Sequence, residues 1–239
     1  VITVPAAFNQ MQKDATMTAA EMAGIGKVAL MQEPVAAVMS VMKQRKSDGV
    51  FLVFDFGGGT LDIAIAESIS GRVSLLAHGG VAMCGGADFD RLILDNVVKP
   101  WLFDNFKLPD DLTVNPKFKA LLRLSLHAAE RAKIELSSKE ETVITLPDFN
   151  ITDESGEDIY LDIAITRSVL NSLIADKMVE SINAARETLD KAGLSPNDVE
   201  RIVFVGGPTN YKPLRDKVAS ELCIAASTEV NPMTAVAEG

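Results

Sequence analysis

The run Val53-Phe54-Asp55-Phe56-Gly57-Gly58-Gly59-Thr60-Leu61-Asp62-Ile63-Ala64-Ile65 joins two strand-like segments through consecutive glycines, with a carboxylate on either flank. Glycine has no Cβ, so such a turn is free to take positive φ, and several N–H groups can converge on one anion such as a phosphate chain. The usual glycine-rich phosphate loop opens a helix. Here residues 61–66 alternate with β-branched side chains, so the segment after the turn reads as a strand and the whole as a hairpin. Asp55 closes the first strand and Asp62 lies just past Thr60. These hard oxygens beside a bound phosphate suit a magnesium ion that keeps most of its waters. A tight hairpin whose glycines serve only its turn is the other reading of the same residues.

With 239 residues, 47% of them hydrophobic, the chain can bury a substantial core as one large or two smaller domains. A net charge of −10 leaves no basic face for nucleic acid or an anionic membrane, so an anionic nucleotide would have to rely on local glycines, a lysine and a metal. Cys84 and Cys223 lie in no metal-ligand spacing and read as thiols of a reducing compartment, with the cytoplasm as the expected location. No apolar run approaches the roughly 20 residues of a membrane helix. Val1 lies inside a strand-like run and Gly239 follows an apolar Ala235-Val236-Ala237, so both ends are expected to be cut from something longer.

Taken in order, residues 1–4 form a short strand closed by Pro5, and Asn9 caps a helix that runs to about Gly24. A second short strand, 28–31, leads to Glu33-Pro34 and a helix to about Gln44. Residues 43–49 read as a linker. The hairpin follows, then a third strand over 72–79, after which Gly79-Gly80 and Gly85-Gly86 bracket a segment that reads as mobile. Asp88-Phe89-Asp90 opens a helix with Ile93, Val97 and Leu102 inward, and 118–136 is a long helical run. Residues 142–146 and 158–165 are expected to pair across a turn at Gly156. Thr166 caps a helix ending at Gly193, with Leu170, Leu173, Ile174, Ile182 and Leu189 as its apolar stripe. A buried strand, 201–205, then runs into Gly206-Gly207 and a helix over 212–222.

Two further groups carry possible chemistry. Val203-Phe204-Val205-Gly206-Gly207 would let a flat ring or a sugar approach the backbone, or it is simply a strand-to-helix turn that needs small residues. Glu130, Lys133 and Ser137 share one helix face, which would grip a ribose and a phosphate or stand as a solvated edge. Glu33, before Pro34, reads by itself as the cap of its helix.

Asp55-Phe56-Gly57-Gly58-Gly59-Thr60-Leu61-Asp62 resembles a motif of the seventy-kilodalton heat-shock chaperones, the DnaK type, in their nucleotide-binding domain. Other blocks follow the family order over the full length. They are Val1-Ile2-Thr3-Val4-Pro5-Ala6, Asn9, Glu33-Pro34-Val35-Ala36-Ala37, Gly85-Gly86 with Asp88-Phe89-Asp90, Glu130-Arg131-Ala132-Lys133-Ile134-Glu135-Leu136-Ser137-Ser138, and Val205-Gly206-Gly207. Ile134 looks closer to the bacterial branch.

The resemblance implies an α/β, actin-like (ribonuclease H-like) ATPase fold of two lobes, with ATP or ADP and magnesium in the cleft. Residues 1–47 would be part of lobe I, and 48–86 with 165–229 the inner subdomain of lobe II. Residues 87–164 would be its outer subdomain, and 230–239 the start of a closing helix. The first phosphate hairpin and the lysine near the γ-phosphate would precede Val1, so this chain alone is not expected to hydrolyse ATP efficiently. By position, Gly57, Gly58, Gly59 and Thr60 would hold the phosphates, with Asp55 beside the magnesium waters and the attacking water and Asp62 nearby. Glu33 would bond a magnesium-bound water, and Gly86 would approach the phosphates. Glu130, Lys133, Ile134 and Ser137 would bind ribose and adenine edges, with Gly206, Gly207, Pro208 and Asn210 flanking sugar and base. Pro5 matches the family's relay proline. A J-domain co-chaperone, a nucleotide-exchange factor and unfolded clients bound by a separate substrate domain are the implied partners.

The sequence departs from the family at Pro208-Thr209-Asn210, where an arginine usually stacks on adenine, a contact worth about 0.5 to 2 kcal/mol. It departs also at Ala87, Ala7 and Met233-Thr234. A chaperone-like scaffold that binds nucleotide weakly without hydrolysis is the alternative these changes favour. A sugar kinase of the same fold would share the hairpin but not the block over 130–138.

Overall fold

The computed structural model, which describes residues 1–44, 48–147 and 150–239, divides into two units: Val1–Gly85 with Met178–Gly239, and Gly86–Lys177. The first unit begins with strand β1 (Ile2–Val4) and helix α1 (Gln10–Met22). Asn9 caps α1 in a reciprocal box, its side chain accepting from the Gln12 N–H while the Gln12 side chain accepts from the Asn9 N–H. Strand β2 (Leu30–Gln32) lies parallel to β1 and starts two residues later than residues 28–31 would have it. Helix α2 (Glu33–Gln44) begins at Glu33-Pro34, where proline's missing N–H costs nothing. Of the linker expected over 43–49, residues 43–44 belong to α2 and residues 45–47 lie outside the described residues.

Strands β3 (Gly49–Phe56), β4 (Thr60–Ile69) and β5 (Arg72–Ala82) form the antiparallel meander. β5 runs three residues further than expected and takes in Gly79 and Gly80, which are not a mobile boundary. A Cβ on Gly79 would lie 2.4 Å from Thr188 Oγ1, and one on Gly80 2.5 Å from the Leu61 carbonyl oxygen. These glycines let neighbouring groups close on the sheet.

The second unit holds α3 (Gly86–Ile93), a π turn over Leu94–Val98 and α4 (Lys99–Asn105). Pro100 has no N–H to give, and the wider turn accommodates the break. The turn adds a residue to the repeat, so Val98 is buried where Val97 was expected. Helix α5 (Pro116–Glu135) follows, then β6 (Glu141–Thr145) paired with β7 (Asp162–Thr166). The turn at Gly156 closes only an isolated bridge, Thr152 to Asp158, so the expected hairpin over 158–165 is confined to its last part. Asp153 takes over that loop. Burial pushes its carboxyl up, but hydrogen bonds from the Ser155 hydroxyl and from the Lys107, Glu157 and Ser155 N–H groups together outweigh it and hold its pKa well below the carboxylate range.

Helix α6 (Arg167–Lys191) carries residues of both units, and Leu170, Ile174, Ile182 and Leu189 of its stripe are buried, with Leu173 half-buried. Strand β8 (Val199–Val205) then pairs with β3, giving a mixed sheet of order β5-β4-β3-β8 in which only β3 and β8 run parallel. Helices α7 (Lys212–Leu222) and α8 (Ala235–Glu238) complete the first unit. Phe51 and Val53 face one side of the sheet with Ala64, Ala66, Val203 and Val205, and Ala37, Val38 and Val41 of α2 cover them. Phe54, Phe56 and Phe204 meet as tilted rings, Phe54 lying 5.6 Å from Phe56 and 5.8 Å from Phe204.

Candidate functional site

The first unit concentrates its unusual residues where β3 and β8 end side by side. A crevice at the carboxyl ends of parallel strands is a recurrent place for ligands in α/β sheets. The Gly57 N–H donates to the Thr60 carbonyl at 2.9 Å and closes the hairpin. None of the three glycines uses the positive φ open to it. Their use lies elsewhere. A Cβ on Gly58 or Gly59 would meet no protein atom within 4 Å, so neither the turn nor the chain's own packing requires glycine there. What glycine supplies is exposed backbone that another molecule can approach closely.

Gly85 is pressed against that backbone. A Cβ on Gly85 would lie 2.5 Å from Gly58 C and Gly59 N. Gly86, the glycine singled out from sequence, is the buried first residue of α3 in the second unit. Its predecessor Gly85 is the one whose Cβ the hairpin backbone would meet.

Strand register brings the acids together. Asp55 is directly opposite Asp62 across the β3–β4 ladder, and Asp62 is opposite Gly80 of β5. Residues opposite one another share a face. Asp55 follows Phe51 and Val53 by the two-residue alternation onto the side covered by α2, whose first residue is Glu33. Burial first, then the charges of Glu33 and Asp62, push the Asp55 carboxyl up to about 6. Burial, and then Asp62, also raises Glu33. Thr60 Oγ1 is 3.3 Å from Asp62 Oδ2. Among the described residues no group of three histidine, cysteine or acidic side chains converges as direct metal ligands.

The end of β8 is fitted to the same corner. Gly206 has φ +90°, and a Cβ there would lie 2.1 Å from the Phe56 carbonyl oxygen and 3.3 Å from Asp55 Oδ1. Its N–H donates to the Pro232 carbonyl at 3.0 Å. Gly207 to Asn210 form one short turn, with the Thr209 hydroxyl donating to Gly206 O and the Asn210 amide donating to Gly207 O. Gly207 and Asn210 are exposed and Pro208 is half-buried. Met233, also exposed, has its sulfur 3.7 Å from where a Gly207 Cβ would be. Pro5 stands half-buried after β1, with its carbonyl accepting from the Phe8 N–H.

In the second unit, the polar face of α5 is less free than its spacing suggests. Lys133 Nζ is 2.7 Å from Asp90 Oδ1 and donates to the Gly86 carbonyl at 2.8 Å. Glu130 lies 3.4 Å from His127 Nδ1, and Ile134 is exposed. Ser137 sits beyond the last helical residue, so it does not share the face at helical spacing, and its carbonyl accepts from Arg167.

A family model described as "Hsp70 protein" matches residues 1–239. The chain belongs to the Hsp70 family. The chaperone protein DnaK of Trichormus variabilis is 38% identical over the whole of this chain, which spans 34% of that relative. DnaK of Deinococcus proteolyticus is 36% identical over 239 residues and 37% of its length is covered, and that of Cyanidioschyzon merolae is 37% identical with 38% covered. The chain thus spans about a third of the length of the curated relatives it matches. Membership of the Hsp70 family implies an actin-like fold, and the structure is α/β with mixed sheets. No helix among the described residues of this Hsp70 chain is long and apolar enough to cross a membrane.

Gly85 and Asp90, both inside a block the sequence singles out, make contacts that only the fold reveals. Asp90 left a signal: with Phe89 and Ile93 it puts a carboxylate into the buried stripe of α3, where an acid needs a partner.

Proposed function

We propose that this chain is part of the ATP-binding and ATP-hydrolysing motor domain of a DnaK-type chaperone. The observation that carries this reading is the bare backbone at Gly58 and Gly59, glycines that neither φ nor internal packing explains. Exposed N–H groups there suit the oxygens of a phosphate chain, with the Thr60 hydroxyl beside them. Transfer of a phosphoryl group to water asks a protein mainly for positioning and charge neutralisation. Asp55, with its carboxyl raised to about 6, is matched to accept a proton from an attacking water near neutral pH. Three mutually repelling acids fit a hard cation, and Glu33, Asp55 and Asp62 would hold magnesium through its waters. Magnesium, when bound, neutralises phosphate charge and orders water.

The finer assignments belong to the same proposal. Residues 1–47 and 230–239 are read as parts of lobe I or its return, 48–86 with 165–229 as inner lobe II, and 87–164 as outer lobe II. Gly86 is read as a phosphate neighbour. Gly206, Gly207, Pro208 and Asn210 flank sugar and base, Glu130, Lys133, Ile134 and Ser137 serve the adenosine, and Pro5 is the relay. A J-domain co-chaperone, an exchange factor and unfolded clients are the partners of the longer protein, and the cytoplasm its location.

Calorimetry with Mg-ATP on the full-length protein and its Gly58→Asp variant, followed by single-turnover hydrolysis, tests the reading. The expected result is ATP binding that Gly58→Asp abolishes, with slow turnover in the unchanged protein. Binding without turnover, or no binding, overturns it.

A further inference from the structure

Asp90 and Lys133 form an enclosed ion pair in the second unit, with side chains only 9% and 14% exposed and the charges 2.7 Å apart. Withdrawing both from water is costly, and an apolar pair of similar volume is often as stable, so such a pair has its best rationale in what it holds in place. An ammonium has three N–H donors. One is given to the Gly86 carbonyl, and the ammonium rests in ion-pair contact with Asp90 Oδ1, so donor capacity remains for a further acceptor. Two further acids, Glu130 and Asp88, add smaller charges that push the Asp90 carboxyl the same way as burial. Asp88 pairs with Arg91 at 4.0 Å, and Glu130 lies beside His127.

We propose that Asp90 is a positioning residue for nucleotide recognition, fixing Lys133 so that its remaining donor is presented to a ribose hydroxyl. This rests on the nucleotide reading above and adds to it a residue that acts only through Lys133. Burial pushes the Asp90 carboxyl up and Lys133 offsets only part of that push, so the charge of Asp90 depends on the lysine it faces. A flexible lysine without that anchor would sample many rotamers and lose the entropy again on binding.

The test measures affinities of the full-length protein for Mg-ADP and Mg-2′-deoxy-ADP and Mg-3′-deoxy-ADP, for the unchanged protein, Asp90→Asn, Lys133→Met and the double variant, with melting curves as a check on folding. Asp90→Asn is expected to weaken ADP binding about tenfold, the worth of one charge-assisted hydrogen bond, and to flatten the preference for the full ribose. In the Lys133→Met background the same change should do nothing more. An unchanged ribose preference in folded Asp90→Asn overturns the proposal. If Asp90→Asn does not fold, Lys133→Met and the double variant decide: equal loss of ribose preference supports it, and a difference between them overturns it. Failure of the unchanged protein to bind ADP strikes the nucleotide reading itself, and this inference with it.

Discussion

Asp55 and Asp90 are both carboxylates that folding takes out of water, and the protein treats them in opposite ways. Asp90 is given a lysine at 2.7 Å from within its own unit. Asp55 is given two more acids, Asp62 across the strand and Glu33 at the start of α2, each adding to the push of burial. A chain optimised for its own stability would not place three acids around one corner of a sheet. The contrast separates an acid balanced by the fold from one left for something the fold binds.

The sharpest way to break this contrast is to make the same substitution at both places. Asp90→Asn leaves the Lys133 ammonium enclosed without its counter-charge and is expected to destabilise by roughly 3 kcal/mol in denaturant titration. A stabilised Asp90→Asn would mean that the pair is not balanced at all. Asp55→Asn should act with the opposite sign. Its folded pKa of about 6 lies above the ordinary 3.8, so the folded state holds this proton more tightly than the unfolded chain. Stability from that proton is full below about pH 4 and lost as pH rises through about 6. Without magnesium at pH 7, Asp55→Asn is therefore expected to gain about 3 kcal/mol, a gain that vanishes near pH 4. Added magnesium should narrow the gap by stabilising only the unchanged protein, and a destabilised Asp55→Asn at pH 7 would remove the distinction. The smallest effect sharpens the same point through the backbone. Gly58→Ala should change stability by less than about 0.5 kcal/mol, since its Cβ meets nothing, and yet weaken ATP binding. A large loss of stability would return the triplet to the role of a plain turn.

Local signals in the sequence carry much of the first unit. The capping pattern at Asn9, the proline start of α2 and the alternation through β3 and β4 are of this kind, and the elements stand where they point. The acids Asp55 and Asp62 were legible because a hairpin's register follows from its turn. What escaped depends on neighbours distant in sequence. Gly79 and Gly80 look like a break until Thr188 and Leu61 are found against them. The π turn at Pro100 moves the buried position by one residue, from Val97 to Val98, which a fixed helical period does not anticipate. The sequence sets Lys133 beside Glu130 on one helix face, whereas its partner Asp90 lies 43 positions upstream, on another helix.

The sheet of the first unit has a temporal side as well. Its central strand β3 borrows its parallel neighbour β8 from the far side of a contiguous second unit, residues 86–177. On a growing chain that unit is complete before residues 199–205 are made, and until then one margin of β3 offers unpaired backbone groups to any passing strand. Closing so long a loop makes β8 a late and slow addition. During its own synthesis the chain thus exposes the kind of sticky margin that leads unfinished proteins to aggregate.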